Sequence, residues 1–341
     1  MGFELNKSYN GFELIKKEEI AELKSLCLLF EHEGTGAELM VLENEDDNKV
    51  FSATFRTPPT NDAGVAHILE HSVLCGSKNF PVKEPFVELM KGSLQTFLNA
   101  MTFPDKTMYP VASRNQKDFF NLMHVYLDAV FYPNISEETF KQEGWHYELN
   151  SPKDKIVYKG VVLNEMKGEF SNPESSIDRQ LAHSLFPSTA YGFESGGDPK
   201  RIPELTYQKF KEFHRKHYHP SNSRLFLYGD GDTQSYLDFL QEKYLQDFEG
   251  IDIKTSIAYQ RSFRKPKRKP MSYPVSSDES LDKKTYVLLG YKLDKAVNHE
   301  HCLGFSILSH LLLGSSASPL RKALITSELG SEVIGGGFDD N

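Results

Sequence analysis

Cysteine is scarce: Cys27, Cys75 and Cys302 are the three in 341 residues, with no C-x-x-C spacing and an odd count. That excludes a disulfide scaffold and a thiolate metal cluster, and it suits free thiols in a reducing compartment. Long hydrophobic runs are also missing; none approaches the 18 or so apolar residues that a membrane-spanning helix needs. Positive charge is in deficit, with 39 Lys and Arg against 48 Asp and Glu and a net charge of -9. A nucleic-acid binder would instead need a basic face. After Met1-Gly2 the Ser or Thr of a myristoylation signal is lacking, and Glu4, Glu13, Glu18 and Glu19 spoil a signal or transit peptide. The expectation is a cytoplasmic protein that binds neither nucleic acid nor membrane.

What is present is the makeup of an ordinary globular protein, 39% hydrophobic and 26% charged. At roughly 150 residues per domain, two domains are expected. Residues 26–30 and 38–42 read as strands around the turn Glu33-Gly34-Thr35-Gly36, and 50–55 alternates as a third, ending at Pro58-Pro59. A short helix is expected over 64–75, with Asn61 or Asp62 as its cap. Helices follow over 85–91, 117–131, from Ser136 toward Trp145, and over 207–218 and 234–248. Residues 157–185 are helical in pattern with interruptions at Gly168 and Pro173, 96–103 is extended, and 224–228 is a returning strand. Strands, then helices, then a returning strand predict an α+β fold, a mostly antiparallel sheet covered by helices. The expected boundaries are a first domain over 1–250, a linker over 251–272 and an incomplete second α+β domain over 273–341. The basic, proline-bearing run from Arg261 to Pro270 reads as solvated linker. The second unit starts with a strand over 284–291 and a helix over 299–313, and the final residues do not close a domain.

The chemistry is concentrated in His67-Ile68-Leu69-Glu70-His71. At about 100° per residue, His67, Glu70 and His71 project to one side of a helix, leaving Val65, Ile68, Leu69 and Val73 for the core. Imidazoles at i and i+4 can share one metal, and the carboxylate between them can reach a metal-bound water. This is the inverted H-x-x-E-H order. A catalytic zinc usually takes a third protein ligand and keeps a position for water. The best downstream segment is Lys159 to Glu169, where Glu165 and Glu169 share a helix face. The residue pattern alone leaves the choice between those two open.

Residues 67–77 (HILEHSVLCGS) resemble the metal helix of the presequence-protease, falcilysin-like branch of the insulinase (pitrilysin) family. Residues 160–168 (GVVLNEMKG) are similar to that branch's third-ligand segment. Leu98-Asn99-Ala100-Met101-Thr102, Ser195-Gly196-Gly197-Asp198-Pro199 and His217-Tyr218-His219-Pro220-Ser221-Asn222 are also family-like. The resemblance covers essentially residues 10 to 341. It implies a pitrilysin-type domain and the start of a second similar one, Zn2+ held by His67, His71 and Glu165, and Glu70 as general base. It further implies that Leu98, Asn99, Ala100 and Met101 lie on an edge strand that pairs with the backbone of an extended peptide. Members of the family are about twice this length or more, and their carboxy-terminal half supplies an Arg and a Tyr that hold the tetrahedral intermediate. Neither maps onto this sequence, so the chain is expected to be the amino-terminal part of a longer enzyme.

The function expected is therefore a zinc metalloendopeptidase that degrades unfolded peptides by attack of metal-activated water. Its partners would be unstructured peptides and a carboxy-terminal half, covalent or in trans. Apolar residues over 305–313 would favour self-association of the chain by itself. The competing reading is a non-catalytic scaffold half of a two-part peptidase. Such a half would be expected to lack at least one of His67, Glu70, His71 and Glu165, and all four are present.

Overall fold

Among the described residues nine strands pair into one sheet. In the computed structural model, which describes residues 2–83, 85–149, 151–334 and 336–339, the chain opens with β1 (Ser8–Tyr9), β2 (Phe12–Ile20), β3 (Ser25–His32), β4 (Glu38–Glu43) and β5 (Lys49–Arg56). Helices α1 (Val65–Val73) and α2 (Pro85–Gly92) lead to β6 (Gln95–Leu98), β7 (Met101–Thr102) and β8 (Lys106–Ser113). Helices α3 (Gln116–Phe131) and α4 (Glu137–Glu143) precede a small hairpin of β9 (His146–Glu148) and β10 (Val157–Lys159). Then come α5 (Val161–Glu169), α6 (Pro173–Leu185), α7 (Tyr207–His217), β11 (Ser223–Gly229), α8 (Thr233–Lys243), α9 (His299–Leu313) and α10 (Pro319–Thr326).

The large sheet runs β1-β2-β3-β4-β11-β5-β8-β6, with β7 also on β8. Every pairing in it is antiparallel except β11 with β4. The returning strand thus enters the middle of the sheet, with Leu225 opposite both Leu39 and Ala53. Phe51, Phe55, Tyr109, Phe119, Leu122 and Tyr126 are fully buried where α3 meets β5 and β8. Each side chain of that size contributes about 1.5–3 kcal/mol by leaving water. This is the expected α+β architecture.

The chain divides into two units, Met1–Phe170 with Ser188–Tyr259, and Ser171–Pro187 with Gln260–Asn341. In the second unit α9 packs on α10 but leaves Leu303, Ile307, Leu308 and Leu311 about half or more exposed. The strand expected over 284–291 has no ladder partner among the described residues, and Val287 and Leu289 are 84% and 75% exposed. Alternation marks a segment fit for a sheet, but a strand exists only once a neighbour takes its hydrogen bonds.

Three local expectations also differ. Residues 157–159 form β10 rather than the start of a helix, because β9 supplies a partner and Gly160 ends the run. Gly64, in the left-handed region, sits at the α1 N-cap position with no side-chain cap. Instead the Asn61 side chain accepts from Ala63 N–H and the Asp62 carboxylate from Glu194 N–H. Strands β2 and β8 went unread: β2 is mostly exposed and charged beyond Leu14, and β8 carries Pro110. Among the described residues no helix is long and apolar enough to cross a membrane.

The region that closes the sheet carries a pH liability. Burial pushes the His214 and His217 imidazoles down to about 4, despite their bonds to the Val130 and Phe213 carbonyls. An unfolded histidine titrates near 6.5, so between pH 6.5 and 4 the unfolded chain binds protons that the fold refuses. Their contribution is fully present above about pH 6.5 and is lost as pH falls toward 4, by up to about 3 kcal/mol per ring. Urea unfolding at pH 7 and pH 4.5 should show that loss, reduced in His217→Asn; an equal loss in the variant would refute this origin.

Candidate metal centre

Helix α1 is anchored by Ile68, Leu69 and Val73, all at 0% exposure, which turns His67, Glu70 and His71 to the opposite side. Its first turn lies unusually close to the loop over 194–198. The Asp62 carboxylate accepts from Glu194 N–H at 2.9 Å and its carbonyl from Asp198 N–H at 2.8 Å. Gly64 permits this approach, since a Cβ there would stand 2.7 Å from the Gly196 oxygen and the residue has φ +67°. The Gly196 carbonyl is thereby placed 3.2 Å from His67 Nδ1.

Helix α5 supplies the facing carboxylate. Val162, Leu163 and Met166 bury its inner side, and the Glu165 side chain is left 50% exposed. Gly160 lets α5 start against the end of α4, because a Cβ would lie 2.0 Å from the Gly144 oxygen. Glu165 Oε2 then sits 3.6 Å from His67 Nε2 and 3.7 Å from His71 Nε2. Two donors each about 2.0–2.1 Å from a tetrahedral zinc would stand roughly 3.4 Å apart, so the spacing and the two-nitrogen, one-oxygen set fit that ion. Donor atoms of His67, His71 and Glu165 all lie within 4.8 Å of one another, and Glu169 is not in the cluster.

Both rings are turned by what holds their other nitrogen. A carbonyl and a carboxylate can only accept, so His67 Nδ1–H donates to Gly196 and His71 Nδ1–H to Glu143 Oε2, at 3.3 Å. Each Nε2 lone pair is left facing Glu165. Burial pushes the His71 imidazole down, but its bond to Glu143 and the charges of Glu70, Glu143 and Glu165 outweigh this and raise it. Burial likewise pushes Glu143 up, and hydrogen bonds from His71 and Gln142 bring its carboxyl below the usual range.

Glu70 lies beside this cluster, 9% exposed, with Oε2 accepting from Thr102 Oγ1 at 2.7 Å. Thr102 belongs to β7, and β6 and β7 form the open edge of the sheet on β8. Leu98 pairs with Val111 and Met101 with Met108, while Asn99 and Ala100 form a break between the two short strands. Leu98 and Met101 thus lie on the short strands of that edge, Asn99 and Ala100 lie between them, and the Thr102 bond ties the edge to Glu70.

The insulinase model (peptidase family M16) matches residues 55–169, spanning α1 to α5, and the M16 inactive-domain model matches 204–341. The chain belongs to the insulinase family. This insulinase-family chain is 52% identical over 343 residues to protein HypA of Clostridium perfringens, covering 100% of itself and 35% of that protein. It is 52% identical over 335 residues to presequence protease 1, chloroplastic/mitochondrial, of Arabidopsis thaliana, covering 97% of itself and 31% of that protein. The chain therefore spans about a third of the length of these curated relatives. Among solved structures, pitrilysin matches with a TM-score of 0.52 at 17% identity, over 68% of this chain and 24% of that one. A Helicobacter pylori protease matches with a TM-score of 0.60 at 18% identity, over 85% and 66% respectively. At those identities they carry the fold alone.

The residues that sequence reasoning missed are Glu143, Thr102 in its role toward Glu70, and the Gly196 carbonyl. Glu143 had one usable signal: it is a carboxylate in the last turn of α4, where the helix dipole disfavours negative charge by about 0.3–1 kcal/mol. Such a residue asks for a cationic or hydrogen-bonding partner.

Proposed function

We propose that this chain carries the zinc centre of a metalloendopeptidase that cleaves unfolded or extended peptides. The observation that carries the reading is the convergence of His67 Nε2, His71 Nε2 and Glu165 Oε2, with Glu70 alongside. Zinc bound there supplies Lewis-acid chemistry, making water acidic enough to lose a proton near neutral pH. His67, His71 and Glu165 hold the ion. Glu70 is the general base: with Oε2 engaged by Thr102, Oε1 takes the proton of the attacking water and returns it to the leaving amine. Leu98, Asn99, Ala100 and Met101 pair with the peptide backbone along the sheet edge, so cleavage tolerates varied sequence but demands an extended chain.

A carboxy-terminal half, covalent or in trans, completes the enzyme in this reading. The chain's share of its relatives' length supports this, as does a Glu165 side chain that is half exposed. Metal analysis combined with digestion of an unstructured peptide tests the function. Zinc should be present in stoichiometric amount, a chelator should stop cleavage, and added zinc should restore it. Glu165→Gln should lose zinc where Glu169→Gln keeps it. The reverse pattern would move the third ligand to Glu169, and tight zinc binding without cleavage in any assembly would favour the scaffold reading.

A further inference from the structure

Glu143 is a carboxylate that the fold has put in an unfavourable place. Its side chain is 8% exposed, in the last turn of α4, where both burial and the helix dipole oppose a negative charge. Nothing about helix formation calls for it there, since Phe140 already anchors α4 in the core. Its two oxygens are both used: Oε1 accepts from Gln142 Nε2 at 2.9 Å, and Oε2 from His71 Nδ1 at 3.3 Å. The second bond spans 72 residues of sequence and ties α4 to the His71 ring whose Nε2 faces Glu165.

We propose that Glu143 is the positioning residue of the metal centre, holding His71 with its proton on Nδ1 and its lone pair on Nε2 aimed at the ion. The inference rests on the zinc-site reading above. An imidazole that ligates a metal through one nitrogen is oriented by what accepts from the other, and a carboxylate there also makes the ring a stronger donor. His67 receives only a carbonyl dipole, from Gly196, in the same position. The two histidines of the motif are therefore unequal: a full charge backs His71, and a loop that Gly64 allows to approach backs His67. Loss of Glu143 frees the His71 ring to turn or to change tautomer, and the metal loses a preset ligand.

The test measures zinc affinity of the 341-residue chain by chelator competition, with the His71 tautomer read by nitrogen-15 NMR of the zinc-free protein. Glu143→Ala should raise the Kd for zinc about 10–100-fold and let the proton of His71 appear on Nε2. Glu143→Gln, whose amide oxygen still accepts from Nδ1–H, should recover most of the affinity and keep the native tautomer. Recovery by an acceptor of the same shape is not expected of a carboxylate that only braces the fold. Where Glu143→Ala does not fold, Glu143→Met, similar in volume and without a carboxylate, takes its place. A Kd within twofold of wild type in the Ala or Met variant would overturn the proposal, as would a Gln variant no better than either. His71→Ala separates the two readings. If it too binds zinc like wild type, the metal site itself is wrong and the role of Glu143 falls with it; if only the Glu143 variants do, the site stands and the positioning role alone fails.

Discussion

Glu70→Gln is expected to retain zinc at the wild-type level and to lower peptide turnover by about 10²–10⁴-fold, the usual loss of one general base. The geometry makes the substitution clean. Thr102 Oγ1 donates to one Glu70 oxygen at 2.7 Å, and a glutamine carbonyl accepts that bond equally well. The amide group then occupies the place of the free oxygen, where it donates and cannot take a proton. Shape, burial and the neighbouring His67 and His71 are preserved, so metal content reports the ligands and turnover reports the base. The comparison is kcat/KM on an unstructured peptide, in whichever preparation turns over, the chain by itself or with a carboxy-terminal half. Turnover by Glu70→Gln at the wild-type rate would remove Glu70 from the mechanism. Zinc lost together with activity would make it a ligand.

The second large effect concerns what the proposed carboxy-terminal half would contribute. Peptide turnover by this chain should rise by about 10²–10³-fold when a carboxy-terminal half is added, since that is the worth of a donor aimed at the developing oxyanion. Around the metal centre Glu70, Glu143 and Glu165 all carry potential negative charge, which suits a cation and opposes an oxyanion. The source tried first is the portion of the 52%-identical Clostridium perfringens protein beyond the 343 residues matched. Measurements at several concentrations are needed, because Leu303, Ile307, Leu308 and Leu311 expose apolar surface on α9 that favours self-association. Full turnover by the monomeric chain, unchanged on addition, would show that the site is self-sufficient.

The sequence by itself determined whatever depends on short spacing. Helical periodicity placed His67, Glu70 and His71 on one face and Ile68, Leu69 and Val73 on the other; the apolar three are at 0% exposure, while His67 and Glu70 are nearly as buried because other elements cover their face. Strands β3, β4 and β5 were readable because a turn or a proline pair punctuates them and residues 50–55 alternate in residue type. The mostly antiparallel sheet under helices followed from the order of the elements. The pairing of β10 with β9 and the missing ladder over 284–291 were not readable, because a strand is settled by a partner elsewhere in the chain. On residue pattern alone Glu165 and Glu169 were equivalent, one turn apart on a helix. The approach of α5 to α4 at Gly160 and Gly144 brings the first of them to the histidines. Glu143, Thr102 and Gly196 reach the centre across 72, 32 and 129 residues respectively. Each acts through one hydrogen bond whose partner is set by how helices, strand edge and loop pack, and no local periodicity encodes that. The grouping of His67, Glu70 and His71 was thus local information, while the approach of Glu165 and the orientation of the two imidazoles belonged to the tertiary structure, since a hydrogen bond needs its two atoms about 3 Å apart in space and places no condition on their separation along the chain.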